Sequence, residues 1–438
     1  MPNQLLSYPD CANVDDEEDL KVLLISDNKP LMHKYLKYSL ATFSFFKIFI
    51  TTDLVSAQAS DPLKPSKTDI FYVTNRAPVG TENGSMLYGV DRSHSLAFGS
   101  VEVLGQEATN SIVGEPSEMG RFPETPYSLE KTKNGVKRSS DELAEHKRAS
   151  LQMRNELHRR IIKTRRKEVV IFIHGYNNDF NDAVRSTAQI CNDLDPNDFA
   201  CIALTWPAGG SKGLLFGYNV DRESGEFSVA DLRKAIRIIS STPDLKAIHF
   251  IAHSRGTDVL STVIQQLAIE TYVAQSSIAQ KMKIHNVVLA APDIDLDVAF
   301  SKILGLVSDP DLLYGKSANE KVIYNPGKFH LTVYSSTGDR ALSMSKALFG
   351  SDLRLGLIDT TSSQDKLDRI PKAAGLADFI TVEGGNGFIG HSYFLSDQAV
   401  RHDLVELIKN EKSPSDPERS LVEEKKPLWF LPSRQITQ

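Results

Sequence analysis

The sequence predicts an α/β fold: a doubly wound, mostly parallel sheet with helices on both faces. Two observations carry that expectation. The runs Val169 to Ile173 and Ala200 to Leu204 are apolar without a break, and Ala247 to Ile251, interrupted only by His249, also suits a buried strand; strands covered on both faces, as in parallel sheets, read this way. Between the runs the apolar period becomes helical. Phe180, Ala183, Val184, Thr187, Ile190, Cys191 and Leu194 fall on one stripe, and Val259, Leu260, Val263, Ile264 and Leu267 on another, as amphipathic helices require. Such alternation specifies crossover units.

Taken in order, residues 1–59 form an amino-terminal extension and residues 60–410 the α/β domain. Within the extension, Lys34 and Lys37 precede an apolar run and Ala57-Gln58-Ala59 follows it, so residues 32–59 have the order of a secretory signal. Lys47 inside the run and Asp53 behind it suit a buried or amphipathic helix equally well. Export and a cytoplasmic location therefore both stay open. Asp69 to Thr74 and Ser95 to Val103 are strand-like, rich in aromatic and β-branched residues. Residues 106–139 are polar and rich in Pro, Gly, Ser and Thr, which fits a surface excursion. It continues into a charged helix from Ser140 to Lys163. The stretch 147–167 gathers Arg159, Arg160, Lys163, Arg165, Arg166 and Lys167, either a solvated face or a docking surface for anionic partners or lipid head groups.

A helix is expected from Ser228, as N-cap, to Ser240. Residues 207–227, with Leu214, Leu215 and Phe216 among glycines, read as a mobile apolar lid or pocket wall. Strands follow at Asn286 to Ala290, His330 to Ser335 and Phe379 to Val382. Residues 299–324, with Ile303, Leu304, Leu306 and Val307, fit a cap insertion or an ordinary connecting helix. From Glu411 to residue 438 the chain is charged and contains prolines, which predicts a loosely held tail.

A chain of 438 residues with a formal charge of -6 can bury a large core and is a poor match for nucleic acid. Cys11, Cys191 and Cys201 make no disulfide framework; Cys191 on a helical stripe and Cys201 in a strand read as small core residues. No His or Cys cluster has zinc spacing, and Gly209-Gly210-Ser211-Lys212-Gly213 lacks the phosphate-loop pattern. No metal or cofactor is expected. No segment reads as a membrane span.

The chemistry centres on Ala252-His253-Ser254-Arg255-Gly256. A buried strand runs straight into it and a helix starts straight after it. A serine at such a turn needs small neighbours two positions away on each side so that strand and helix can approach, and Ala252 and Gly256 meet that need. The helix start behind Ser254 favours developing negative charge.

A serine needs a histidine to take its proton and an acid to orient that histidine. Ligands of such sheets bind beyond the carboxyl ends of the strands, so the partners are sought just after strands. Asp339 and His391 stand there, in the chain order Ser254, Asp339, His391. Asp293 and Asp295 are rival acids; His402 and His330 are rival bases, one on a terminal helix and one ahead of its strand. His174 and His253 read as residues packing beneath the site. Backbone N–H groups of Arg255 and Tyr176 would form an oxyanion hole.

Together these residues resemble the α/β-hydrolase superfamily. More narrowly, the chain looks like a bacterial family of uncharacterised α/β-hydrolases. Its marks are Tyr-x-Thr-Asn-Arg (72–76), FIHGYNN (172–178), TWP (205–207), AHSRGT (252–257), APDID (291–295), Ser-x-x-Asp-Arg-Ala-Leu (336–342) and HSYF (391–394). The resemblance spans roughly residues 68–410 and implies a serine hydrolase without cofactor. A small-molecule or lipid-like carboxylic ester with an apolar acyl group is the expected substrate. Amide, thioester and acyl-transfer chemistry, or a binding module on the same fold, remain the alternatives.

Overall fold

The computed structural model describes residues 66–80, 86–210, 214–274, 276–305, 328–349, 353–358, 362, 370, 375–383 and 391–433. The signal-like stretch 32–59, the rest of the amino-terminal extension and most of the 299–324 segment lie outside them.

Strands β1 (Lys67–Gly80) and β2 (Met86–Leu104) form a long antiparallel pair. Both β3 (Ile112–Val113) and β4 (Ser117–Arg121) add to β2, while β5 (Leu129–Thr132) and β6 (Gly135–Arg138) make a separate hairpin. The polar excursion is thus partly sheet. After α1 (Ser140–Ile161) the crossover units begin: β7 (Glu168–Ile173), α2 (Phe180–Leu194), β8 (Phe199–Thr205), α3 (Leu214–Ser240), β9 (Ala247–His253) and α4 (Gly256–Val273). A short α5 (Ile278–Met282) leads to β10 (Ile284–Ala290), α6 (Leu296–Ile303), β11 (His330–Ser335), α7 (Arg340–Phe349) and β12 (Ala377–Val382). The chain closes with α8 (Tyr393–Ser396), α9 (Gln398–Ile408), β13 (Val422–Lys425) and β14 (Leu428–Leu431).

Among the described residues, one sheet runs β13-β14-β12-β11-β10-β9-β7-β8-β1-β2-β3, with β4 beside β2. From β14 to β1 every pairing is parallel, and the antiparallel pairs lie at the two edges. Strand order reverses between β7 and β9, so this is the place where ligands of open α/β sheets bind.

Alternation along each strand feeds two cores. Val169, Ile171 and Ile173 of β7 pack with α1, α3, α4 and α6, whereas Val170 and Phe172 pack with α2, α8 and α9. Each fully buried side chain of this size stabilises the fold by about 1.5–3 kcal/mol. The doubly wound architecture is as expected.

Several local expectations are corrected. Helix α3 begins at Leu214, so Ser228 lies mid-helix, its hydroxyl donating to Ser224 O at 2.7 Å instead of capping. Most of the expected lid is therefore helical. Cys191 and Cys201 form a disulfide, because α2 packs on β8 and brings their Cα atoms to 6.0 Å, within bonding range.

The segment after Glu411 is folded, not a loose tail: β14 pairs with β12 and buries Leu428, Trp429 and Leu431. On the basic helix end, Arg160 pairs with Asp69 and Glu156, Arg165 with Asp195 and Asp198, and Arg166 with Glu168 and Glu411. These cations serve internal contacts. No helix among the described residues is long and apolar enough to cross a membrane.

Candidate active site

Ser254 stands where β9 ends and α4 begins, with a backbone φ of 51°. A non-glycine residue there is strained, and its backbone is held on every side. Its N–H donates to Ala290 O at 3.0 Å, and its carbonyl accepts from Thr257 N at 3.1 Å, Thr257 Oγ1 at 2.6 Å and Asp293 N at 3.2 Å. The small neighbours do what the motif requires. A Cβ on Gly256 would lie 2.3 Å from His174 O, so α4 abuts the end of β7.

The loop after β7 reaches the serine. A Cβ on Gly175 would lie 2.6 Å from Ser254 Cβ, so only glycine permits this approach. The N–H groups of Tyr176 and Arg255 find no protein acceptor among the described residues. Both belong to backbone flanking the serine, the arrangement an oxyanion hole needs.

Asp339 follows β11 and is fully buried. Its Oδ1 accepts from Leu342 N at 3.0 Å, capping α7, and its Oδ2 lies 2.7 Å from Nδ1 of His391. That bond puts the proton of a neutral His391 on Nδ1 and leaves the lone pair on Nε2. Beneath it, His253 Nε2 donates to His391 O at 3.1 Å, and the two rings are 4.8 Å apart. The edge from Ser254 Oγ to His391 Nε2 is not closed by a hydrogen bond among the described residues; such contacts often tighten only with substrate bound.

The rivals are otherwise engaged. Asp293 accepts from Tyr218 Oη and from Ser345 Oγ, each at 2.8 Å, with Arg354 at 3.5 Å. Asp295 caps α6. His330 pairs with Asp378, and His402 lies 3.7 Å from Glu406.

His174 is buried with its ring stacked on Trp206 at 5.1 Å. Its Nδ1 donates to Gly175 O at 3.0 Å and its Nε2 accepts from Trp206 N at 3.1 Å. Burial, and then the charge of Arg76, push its pKa down to about 3. Burial likewise holds the His253 ring well below the usual histidine range, with the neighbouring His391 acting in the same direction. Both are neutral supports.

The model of a family described as alpha/beta hydrolase of unknown function (DUF900) matches residues 149–410. The chain belongs to that family. No curated protein matches it. The match to this α/β-hydrolase family spans all three candidate catalytic residues and both candidate oxyanion donors, but ends before β13 and β14 and begins after β1 to β6. A hydrolase of general kind follows from the membership.

Sequence reasoning missed two residues beside the site. Arg76, quoted only as part of a motif, is fully buried against the loop after β7. Asp221, on α3, accepts from Asn177 N at 2.9 Å and Gly209 N at 3.3 Å. The signal for Arg76 was its place at the end of an apolar strand, where an arginine is rarely buried without partners.

Among the described residues no group of three His, Cys, Asp or Glu side chains has the arrangement of a metal site.

Proposed function

We propose that this α/β-hydrolase is a serine hydrolase acting through an acyl-enzyme, with a carboxylic ester bearing an apolar acyl group as substrate. The observation that carries the reading is the 2.7 Å bond between His391 Nδ1 and the buried Asp339, at the carboxyl end of the sheet's strands where Ser254 occupies its turn. In this mechanism His391 Nε2 takes the Ser254 proton as Oγ attacks the ester carbonyl. The carbonyl oxygen becomes an oxyanion, received by the N–H groups of Tyr176 and Arg255. Asp339 stabilises the imidazolium, which then protonates the leaving alkoxide. Water repeats the sequence on the acyl-enzyme and releases the acid. Exposed Phe216 and Val220 on α3, and the Tyr176 and Tyr218 rings 5.5 Å apart, support an apolar acyl group.

The test is labelling with a fluorophosphonate probe, together with hydrolysis of a p-nitrophenyl acyl ester. Ser254→Ala should abolish labelling and lower turnover by several orders of magnitude, with little change in thermal midpoint. A parent protein that the probe does not label, or a variant that keeps more than about a tenth of the parent rate, would sink the reading.

A further inference from the structure

We infer that Arg76, supplied by the amino-terminal hairpin, is a positioning residue that sets the direction of the Tyr176 N–H in the oxyanion hole. The inference rests on the serine hydrolase reading and adds to it a part that lies outside the family-matched residues.

The β1 to β2 register slips between Thr74 and Arg76 and again between Arg76 and Pro78, and bulges of this kind re-aim a side chain. Here the guanidinium enters the protein beneath the loop after β7. Nη2 donates to Asn178 O at 2.7 Å and to His174 Nε2 at 3.3 Å; Nη1 donates to Ala208 O at 2.9 Å and Gly89 O at 3.1 Å. One side chain thus joins the start and the end of the His174 to Asn178 loop to the segment that follows β8 and to the hairpin. Asp221 holds the same loop through Asn177 N.

The step from this clamp to the oxyanion hole is geometric. Arg76 and the Trp206 N–H can only donate, so His174 Nε2 must carry its lone pair and Nδ1 its proton. Nδ1–H then holds Gly175 O. Gly175 C=O and Tyr176 N–H belong to one planar trans peptide and point in opposite directions. Fixing the carbonyl toward the His174 ring fixes the N–H away from it, with no acceptor among the described residues to divert it.

Arg76→Lys keeps a cation but supplies a single point donor in place of the fork. With turnover of a p-nitrophenyl ester counted per Ser254 titrated by fluorophosphonate, kcat should fall about 10- to 100-fold with KM within about twofold. The outright loss of an oxyanion donor costs about 10²–10³-fold. Counting per titrated serine removes the effect of a partly unfolded sample, which a purely structural role would produce. An unchanged kcat per titrated site, or a loss carried by KM, overturns the inference while the Ser254 reading stands. A parent lacking Ser254-dependent turnover overturns both.

If the lysine variant does not fold, ¹⁵N shifts of the His174 ring in the parent protein decide. Protonation at Nδ1 alone is expected. An Nε2–H tautomer or an imidazolium at neutral pH overturns the inference.

Discussion

Asp339 holds two contacts with two oxygens, and the pair of contacts makes a specific substitution informative. Oδ1 caps α7 through Leu342 N, and Oδ2 faces His391 Nδ1. In Asp339→Asn the amide oxygen can keep the cap while the amide group confronts His391 with a donor and favours the wrong tautomer. Turnover should fall by about 10⁴ while the thermal midpoint stays near that of the parent. Asp293→Asn should do the reverse, keeping most activity and losing about 1–3 kcal/mol from its buried contacts to Tyr218, Ser345 and Arg354. Measuring kcat and thermal midpoint on both variants checks this; a silent Asp339→Asn beside an inactive, folded Asp293→Asn would exchange their roles. Both acids follow strands, so chain order favours Asp339 without excluding Asp293. In the folded chain the Asp293 carboxylate is engaged by Tyr218, Ser345 and Arg354, which supports the same choice. Arg76 escaped for a related reason: a bulge turns it inward, and a bulge leaves no mark in an apolar period.

At the scale of elements, the long apolar strands and the helices between them were legible because each carries its own period. The carboxyl-terminal segment was not, because its charged residues outnumber the four of Leu428 to Leu431. Those four nevertheless supply β14, and the segment is anchored by a buried pair: Arg419 donates from Nε and Nη2 to the two carboxylate oxygens of Asp403, each at 2.8 Å, and Tyr334 Oη donates to Oδ2 at 2.5 Å. Neither charged side chain of the pair is exposed. Arg419→Met would leave Asp403 buried without its cation, which costs about 3–5 kcal/mol. Urea unfolding of the variant should show that loss, whereas a loose tail would show none. The Cys191 and Cys201 pairing was missed because each residue alone satisfied its own stripe or strand.

For the whole molecule, the neutral histidines beneath the site tie stability to pH. His174 has a folded pKa of about 3 against an ordinary value of 6.5, and burial holds His253 well below that ordinary value in the same sense. Between these limits the unfolded chain binds protons that the folded chain refuses. Stability is therefore complete above about pH 6.5 and is lost as pH falls toward 3. Each histidine contributes a slope of at most about 1.4 kcal/mol per pH unit, so the two together approach twice that. Burial also depresses His146 and His285, which act in the same direction, while it raises Asp193 and Asp221, which oppose them. The window from about pH 6.5 to 5 lies above the ordinary carboxylate range, so urea unfolding there reads mainly the histidines. Stability should fall across it, and His253→Asn, whatever its effect at pH 7, should flatten the slope by up to about one proton. A parent protein equally stable at pH 7 and pH 5, or a slope unaltered in His253→Asn, would mean that these rings are protonated in the folded state, and the support they give to His391 and Gly175 would have to be drawn differently.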